Sequence, residues 1–300
     1  MADNRADRAG DNNAKIIVLD EGTTSTRAML FGRDGTLVGS AQRELTQYYP
    51  APGLVEHDAA EIWEKTLACL LEMVALAGGA GKVAAIGITN QRETIVFWDH
   101  RSGEPLGRAI VWQDRRTDDA CAALKAAGHE PTVQAKTGLL LDPYFSGSKI
   151  GWALKNWPEL GAAGKHLAVG TIESWLLFKL TGGKRHMSDA SNASRTALMD
   201  INTGQWDSDL CALFGVPMEI LPTITDCMAD FGATDATLTG SPIPIRAMIG
   251  DQQSATVGQA CFAVGDTKAT YGTGAFVLTN TGTDRPHSTN RLLATILYQQ

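Results

Sequence analysis

The sequence lacks an uncharged apolar run of transmembrane length, and it lacks any closely spaced pair of cysteines. Its five cysteines are odd in number and far apart, which excludes the common zinc and redox motifs. Histidines at metal-ligand spacing are missing as well. An excess of basic charge is also missing. A net charge of −7 and a pI near 5.4 argue against nucleic acid or an anionic membrane surface as the main partner. These absences favour a reducing, cytoplasmic setting with buried thiols.

What remains is an ordinary globular composition. The 300 residues are 44% hydrophobic and 20% charged, which is enough for one large domain or two modest ones with a substantial core. Residues 1–13 are polar, carry both signs of charge and lack the apolar stretch of a signal peptide. We expect them to form a disordered tail.

Strand and helix patterns alternate along the chain, which favours an α/β fold with a mixed sheet. An apolar stripe (Trp63, Leu67, Leu70 and Val74) follows Asp58, which with Glu61 resembles a capping box. Apolar runs predict strands at 16–19, 27–31, 36–38, 83–89, 94–99 and 108–112. Helices are predicted at 58–77, 117–137, 145–157 and 171–180.

The last third of the chain repeats a feature of the first. Residues 181–244 are rich in turns, and 245–260 predict a strand, an acid and a helix. Residues 267–282 predict a hairpin with a Gly-Thr-Gly turn, similar to the Gly-Thr turn of the opening hairpin. This similarity suggests two related domains. Residues 292–300 are apolar and strand-like.

The turn after the first strand can bind an anion. Its glycine and successive N–H groups would form a concavity, to which hydroxyls and Arg27 add donors. It lacks the Gly-Lys-Ser/Thr ending of a P-loop. Asp20, just before the turn, suits a hydrated Mg²⁺ beside phosphates. The alternative is a structural turn with polar caps. The turn is formed by Gly22, Thr23, Thr24 and Ser25.

Two further patterns carry chemistry. Asp251 follows a buried strand and precedes a helix, where it could accept the proton of a substrate hydroxyl or merely cap the helix. Arg92 and Glu93 interrupt two apolar strands and could bind adjacent hydroxyls of a polyol, or form a surface ion pair. Tyr144 adds an aromatic ring with a hydroxyl tip.

Together and in order, these stretches resemble the glycerol kinases of the FGGY carbohydrate-kinase family, over essentially all of the chain after residue 14. The matching stretches are DEGTTSTR (20–27), PGLVEHD (52–58), GITNQRET (87–94), AIVWQDRRT (109–117), TGLLLDPYFSGSK (137–149), SNASRT (191–196), GDQQ (250–253) and TYGTGAF (270–276). The resemblance implies an actin/hexokinase-like, ribonuclease H-like fold whose two related domains close over a cleft. It also implies ATP-dependent phosphorylation of glycerol to sn-glycerol 3-phosphate.

The resemblance further implies residue roles. Asp251 would be the catalytic base and, with Asp20, would help hold Mg²⁺. Nucleotide phosphates would contact Thr23, Thr24, Ser25, Arg27 and Thr273. Glycerol would be bound by Arg92, Glu93, Tyr144, Asp251 and Gln252, with Trp112 and Phe276 flanking its carbons.

The chain departs from the family in two respects. Glu21 stands where these kinases usually carry Gln, and strand alternation predicts that it faces away from Asp20. Family members are longer, so we expect residues 14–252 to form the N-terminal domain and 253–300 an incomplete start of the second. The chain alone would then lack a complete ATP site and be inactive or nearly so.

Other functions remain open at this point. The chain could belong to another FGGY sugar or polyol kinase, or be a truncated, non-catalytic remnant. An actin-like filament or chaperone ATPase would leave NQRET and DPYFSG unexplained. Family members commonly form homo-dimers or homo-tetramers, so the resemblance also raises that expectation here.

Overall fold

The computed structural model describes residues 15–271 and 275–300. The expected N-terminal tail and Thr273 lie outside these ranges. The strands are β1 (Lys15–Glu21), β2 (Ser25–Phe31), β3 (Leu37–Glu44), β4 (Glu56–His57), β5 (Val83–Asn90), β6 (Ile95–Asp99), β7 (Ala109–Ile110), β8 (Leu167–Thr171), β9 (Met187–Asp189), β10 (Met199–Asp200), β11 (Gln205–Trp206), β12 (Thr223–Thr225), β13 (Ile245–Gly250), β14 (Thr267–Tyr271) and β15 (Ala275–Thr279). The helices are α1 (Ala59–Ala77), α2 (Asp118–Ala126), α3 (Glu130–Thr137), α4 (Ser146–Asn156), α5 (Pro158–Ala163), α6 (Ile172–Leu180), α7 (Ala190–Ala193), α8 (Ser208–Phe214), α9 (Ala236–Thr239) and α10 (Asp251–Gly258).

A five-stranded mixed sheet organises the fold, in the order β13-β5-β1-β2-β3. β1, β2 and β3 form the predicted antiparallel meander, whereas β1, β5 and β13 run parallel. The register pairs Glu21 with Asn90 and Asn90 with Gly250. The three parallel strands therefore end at one edge of the sheet, which is where α/β folds place ligands.

Helix α1 covers β1, β2 and β3 and follows its predicted start and stop. The Asp58 carboxylate accepts the N–H groups of Ala60 and Glu61, and Gly78 ends the helix at φ 93°. The capping box is wrong, because the Glu61 carboxylate accepts from Thr46 and Lys65 instead. The predicted apolar stripe lies at the margin of the contact between α1 and the sheet. Leu70 and Val74 are buried, whereas Trp63 and Leu67 are partly buried.

A second sheet, β4-β7-β6-β8, carries the other half of the core. Trp98 on β6 packs against Trp175 of α6, an almost wholly buried helix. The predicted helix at 117–137 is two helices, because Gly128 adopts φ 84° between α2 and α3. The predicted strand at 292–300 is wrong: these residues run without strand pairing, although the Ala294 N–H donates to the Gly138 carbonyl.

Two features of composition have structural counterparts. All five cysteines are buried, as predicted: Cys69, Cys121, Cys211, Cys227 and Cys261. Across residues 15–271 and 275–300, the longest helices fall short of the length and apolar character that a bilayer crossing requires.

Candidate active site

The candidate site lies at the edge where β1, β5 and β13 end. The chain continues there into three segments: the 22–25 turn after β1, the 90–93 loop at the end of β5, and Asp251 after β13. β5 separates the other two strands, so β1 and β13 are about 10 Å apart. The Asp20 charge contributes to the raised pKa of Asp251 after burial and Glu93, which places both acids in one electrostatic environment.

Arg92 links most of the residues predicted for substrate binding. Its side chain is 4% exposed, and its Nε lies 3.2 Å from Oδ1 of Asp251 in an ion pair outside hydrogen-bond geometry. Nη2 donates to the Tyr144 hydroxyl at 3.4 Å, and Nη1 donates to Oε1 of Gln253 at 3.2 Å. The guanidinium also lies 6.0 Å from the Phe276 ring centroid. The alternative of a surface ion pair is therefore wrong for Arg92.

Glu93 is the centre of a strained turn. Its φ is 62°, and the Thr94 N–H donates to the Arg92 carbonyl at 2.7 Å, the bond of a γ-turn. A non-glycine residue in this region costs about 1–3 kcal/mol and persists only where its surroundings enforce it. Glu93 is 1% exposed, its carbonyl accepts the Ser146 hydroxyl, and its carboxylate pairs with Arg195 at 2.6 Å.

Three aromatic residues form a wall beside Arg92, called here the aromatic wall (Trp112, Tyr144 and Phe276). Trp112 packs edge-on against Tyr144 at 5.6 Å and against Phe276 at 6.4 Å between centroids. Burial, with the nearby Glu93, raises the pKa of Tyr144 to about 12, so the hydroxyl stays protonated and can donate. The wall offers apolar surface to carbons and a hydroxyl to oxygen.

A buried lysine fixes the backbone of this wall. Lys149 is fully buried, and its ammonium donates to the carbonyls of Pro143, Tyr144 and Phe145 at 2.5, 2.7 and 3.4 Å. Burial lowers its pKa to about 8. Three converging carbonyls compensate the buried cation and hold the Tyr144 loop in one conformation.

Asp251 is the first residue of α10, and Gly250 occupies the N-cap position. The alternative role as N-cap is therefore wrong for Asp251. Its Oδ1 accepts the Gln252 N–H at 2.6 Å, and its side chain is 37% exposed. Burial raises the pKa of Asp251, while the Arg92 guanidinium opposes that rise. A partly accessible carboxylate with a raised pKa is suited to accept a proton.

The 22–25 turn is closed by its own backbone, with the Gly22 N–H donating to the Ser25 carbonyl at 3.0 Å. The Thr23 hydroxyl accepts from the Trp112 indole at 2.9 Å, which joins the turn to the aromatic wall. Thr24 is exposed. Arg27 donates to Oε1 of Gln42, whose amide in turn donates to the Ser25 hydroxyl.

Asp20 and Glu21 face opposite sides of β1, as strand alternation predicts. Glu21 is fully buried against α1, where one oxygen accepts from Thr66 and the other, Oε1, has no hydrogen-bond partner. Burial raises the pKa of Glu21 to about 8. Burial also raises the pKa of Asp20, while Arg27 opposes that rise. The extra acid therefore lies away from the turn and is neutral at pH 7.

The Asp20 and Asp251 carboxylates fit a largely hydrated Mg²⁺. Both are partly accessible, and the Asp20 charge contributes to the raised pKa of Asp251. Mg²⁺ in phosphoryl-transfer sites is bound by one or two carboxylates together with waters and phosphates. Within the described residues, no cluster of three or more acidic, histidine or cysteine side chains could enclose a metal alone.

Gln252 lies apart from the Arg92 group. Its Oε1 accepts from Lys268 and Thr270 on β14, at 2.9 and 3.3 Å. The next residue, Gln253, contacts Arg92 and also donates to the Ile296 carbonyl. Gln252 and Gln253 are consecutive residues of α10, so their side chains point in different directions. The sequence alone does not say which of them faces the site.

No role was predicted for Arg195 or Gln253, although Arg195 stands in the matching stretch SNASRT and Gln253 in GDQQ. Arg195 lies more than one hundred residues from Glu93 along the chain, so neither periodicity nor local spacing connects them. The signal that could have identified Arg195 is that it is a basic residue without a predicted role inside a matching stretch.

Comparisons with known proteins identify the family and the fold. The N-terminal domain of the FGGY family of carbohydrate kinases matches residues 15–258. A glycerol kinase of Xanthobacter autotrophicus is 55% identical over 289 residues, covering 95% of this chain and 58% of the relative. A crystal structure of Plasmodium falciparum glycerol kinase with ADP superposes with a TM-score of 0.90 at 38% identity, covering 97% of this chain and 59% of the other.

A xylulose kinase of Rhodospirillum rubrum superposes with a TM-score of 0.79 at 26% identity, over 90% of this chain and 56% of the other. The chain thus spans somewhat more than half the length of the relatives it matches. These neighbours confirm the predicted actin/hexokinase-like fold over its N-terminal portion. The chain belongs to the FGGY family of carbohydrate kinases.

Proposed function

We propose that the protein phosphorylates glycerol with ATP to give sn-glycerol 3-phosphate. One observation carries the proposal: Arg92 contacts Asp251 and Tyr144 directly beside an aromatic wall, at the sheet edge that also holds the 22–25 turn. These side chains offer a cation, a partly accessible carboxylate, a hydroxyl and apolar ring surface, which are the groups that a short polyol needs. Relatives named glycerol kinase at 55% identity support the same substrate.

In this proposal Asp251 accepts the proton of the attacking hydroxyl, since its raised pKa brings it closer to the range of a useful base. Arg92 and Glu93 bind adjacent hydroxyls, one as donor and one as acceptor, while the aromatic wall contacts the carbons. Gln252 would add an amide contact after turning from Lys268. Catalysis is largely positioning, as is usual for phosphoryl transfer. The phosphates would be held by Thr23, Thr24, Ser25, Arg27 and Thr273.

Asp20 and Asp251 would hold Mg²⁺, which when bound neutralises charge on the phosphates. Burial raises the pKa of Asp20 and the Arg27 charge opposes that rise, so Arg27 already favours the ionised carboxylate that would bind the metal. Glu21 adds no charge here because it is neutral and faces α1.

The organisation of the protein is part of the proposal. Residues 14–252 would form the N-terminal domain and residues 253–300 the first part of the next one, beginning with α10 and the β14–β15 hairpin. We further propose a cytoplasmic enzyme that forms homo-dimers or homo-tetramers, does not bind nucleic acid and does not insert into membranes.

Calorimetric titration of the chain tests the substrate. Glycerol is expected to bind, and erythritol, xylulose and ribulose to bind at least about 10-fold more weakly, the effect of one unpaired polar group. A coupled ADP-release assay with ATP and glycerol tests the reaction itself, and turnover comparable to that of ordinary kinases would contradict the expectation that the chain alone is inactive or nearly so. Preference for a ketose would overturn the proposal in favour of another FGGY sugar kinase. Absence of glycerol binding would overturn it in favour of a non-catalytic chain.

A further inference from the structure

We propose that Arg195 is a positioning residue for substrate recognition: its guanidinium holds Glu93 in the strained turn from which the carboxylate accepts a substrate hydroxyl. This role rests on the proposed function. Arg195 binds Oε1 of Glu93, which assigns the second oxygen, Oε2, to the substrate.

The contact is short, charged and buried. Nε of Arg195 donates to Oε1 of Glu93 at 2.6 Å, and the two side chains are 5% and 2% exposed. Charge-assisted hydrogen bonds of this length are roughly twice as strong as neutral ones. The same guanidinium lies 5.4 Å from the Tyr144 ring and 5.0 Å from the Phe145 ring. One side chain therefore supports both Glu93 and the aromatic wall.

Backbone strain occurs at both ends of the contact. Glu93 has φ 62°, and Ala197, two residues after Arg195, has φ 61°. Two of the four non-glycine residues with positive φ in the described chain thus lie beside this ion pair. Strain of this kind survives only where the surroundings enforce it and is concentrated at functional sites. The Arg195 ion pair and the Ser146 hydroxyl supply that enforcement for Glu93.

The surroundings of Glu93 are crowded with charge. Arg92 and Lys149 are the other cations that interact with it, and Tyr144 and Asp251 are the neighbouring acids. Arg92 faces the site and Lys149 is engaged with backbone carbonyls, so neither replaces Arg195 at Oε1. Loss of Arg195 would leave Glu93 free to rotate toward Arg92.

Glycerol titration of Arg195→Met tests this role. Affinity is expected to fall about 10- to 100-fold, the effect of one lost charged hydrogen bond. Arg195→Lys is expected to recover part of it, because lysine keeps the charge without the planar fork. In a Glu93→Gln background the Arg195→Met change should cost far less, since Arg195 acts through Glu93. Additive losses would contradict the role.

Arg116→Met is the matched control. The Arg116 side chain is also almost fully buried, pairs with Glu56 at 2.7 Å and Asp114 at 2.8 Å, and lies over the Trp152 ring. Its loss is expected to lower thermal stability as Arg195→Met does, with glycerol affinity unchanged. Thermal melts of both variants establish that the comparison is made between folded proteins.

The outcomes separate this role from the proposed function. Failure of the unmodified chain to bind glycerol would end the proposed function. Binding that is equal in the unmodified chain and in Arg195→Met would end only the role of Arg195. Amide hydrogen exchange at residues 91–95 gives a readout without glycerol, and it should be faster in Arg195→Met than in Arg116→Met. Equal exchange in the two variants would overturn the role by itself.

Discussion

The 90–93 loop and the 22–25 turn lie at the same edge of the central sheet but are built in opposite ways. In the loop, Arg92 and Glu93 are almost fully buried, and both make ion pairs with side chains distant in sequence. In the turn, Thr24 is exposed and Arg27 makes exposed hydrogen bonds to Gln42 on the neighbouring strand.

The difference between the loop and the turn corresponds to the ligand that each region is proposed to bind. Small neutral polyols offer few contacts, so the side chains that select them must be fixed in advance at the cost of backbone strain. A nucleotide phosphate carries its own charge and can bind to the N–H groups and hydroxyls that an exposed turn offers. Buried ion pairs therefore fix the side chains of the loop, whereas the turn is fixed through its backbone and leaves Thr24 accessible to a ligand.

Replacing one arginine on each side gives the largest expected contrast. Arg92→Met should weaken glycerol binding about 1,000-fold, because it removes a substrate donor and leaves Asp251 without its cation. Arg27→Met should leave glycerol affinity within about two-fold, since exposed polar contacts contribute little. Calorimetric titration of both variants measures this. Equal losses would show that the two regions are not built differently.

The fold was largely predictable because its signals are local. The β1–β2–β3 meander, helix α1 with its Asp58 cap and the β14–β15 hairpin are all visible as apolar periods and turn residues. One error was local, since Gly128 divides the helix predicted at 117–137. The other was not, because Glu61 accepts from Thr46, a residue on another segment. Apolar residues 292–300 resemble a strand but lack a strand to pair with among the described residues.

The sequence indicated which side chains to group but not the contacts that support them. Asp251, Arg92 and Tyr144 stand in matching stretches, and the structure brings them together. Arg195 pairs with Glu93 across more than one hundred residues, which no local spacing encodes. Lys149 holds the Tyr144 loop through carbonyls close to it in sequence, but apolar periodicity does not indicate a buried lysine. The orientation of Gln252 toward β14 likewise depends on the packing of α10, which no sequence period encodes.

Glu21, just before the 22–25 turn, should make the free energy of unfolding depend on pH. The folded protein keeps a proton on Glu21 up to about pH 8, whereas an exposed glutamate loses it near 4.5. Glu21 therefore contributes stability that is complete below pH 4.5 and is lost as the pH rises through 8. Glu21→Gln removes this loss, so its stability advantage should grow by on the order of 3 kcal/mol between pH 5 and 8.

Denaturant unfolding at several pH values measures the effect. Glu61→Gln is the control, because hydrogen bonds from Lys65 and Thr46 outweigh burial and lower the pKa of Glu61. Its contribution to stability is present above pH 4.5 and is lost in acid, the opposite direction. A Glu21→Gln advantage that stayed constant from pH 5 to 8 would show that Glu21 is ionised in the folded protein.

The smallest effect concerns the one side-chain contact described here between the turn and the aromatic wall. Thr23→Val removes the acceptor of the Trp112 indole while keeping the shape of the side chain, and a net hydrogen bond contributes about 0.5–1.5 kcal/mol. Glycerol affinity should therefore fall by about two- to ten-fold. Thr24→Val, on the exposed side of the same turn, should leave it unchanged. If both variants bind glycerol as tightly as the unmodified chain, the Trp112 ring is held by Tyr144 and Phe276 alone, and the two regions are independent.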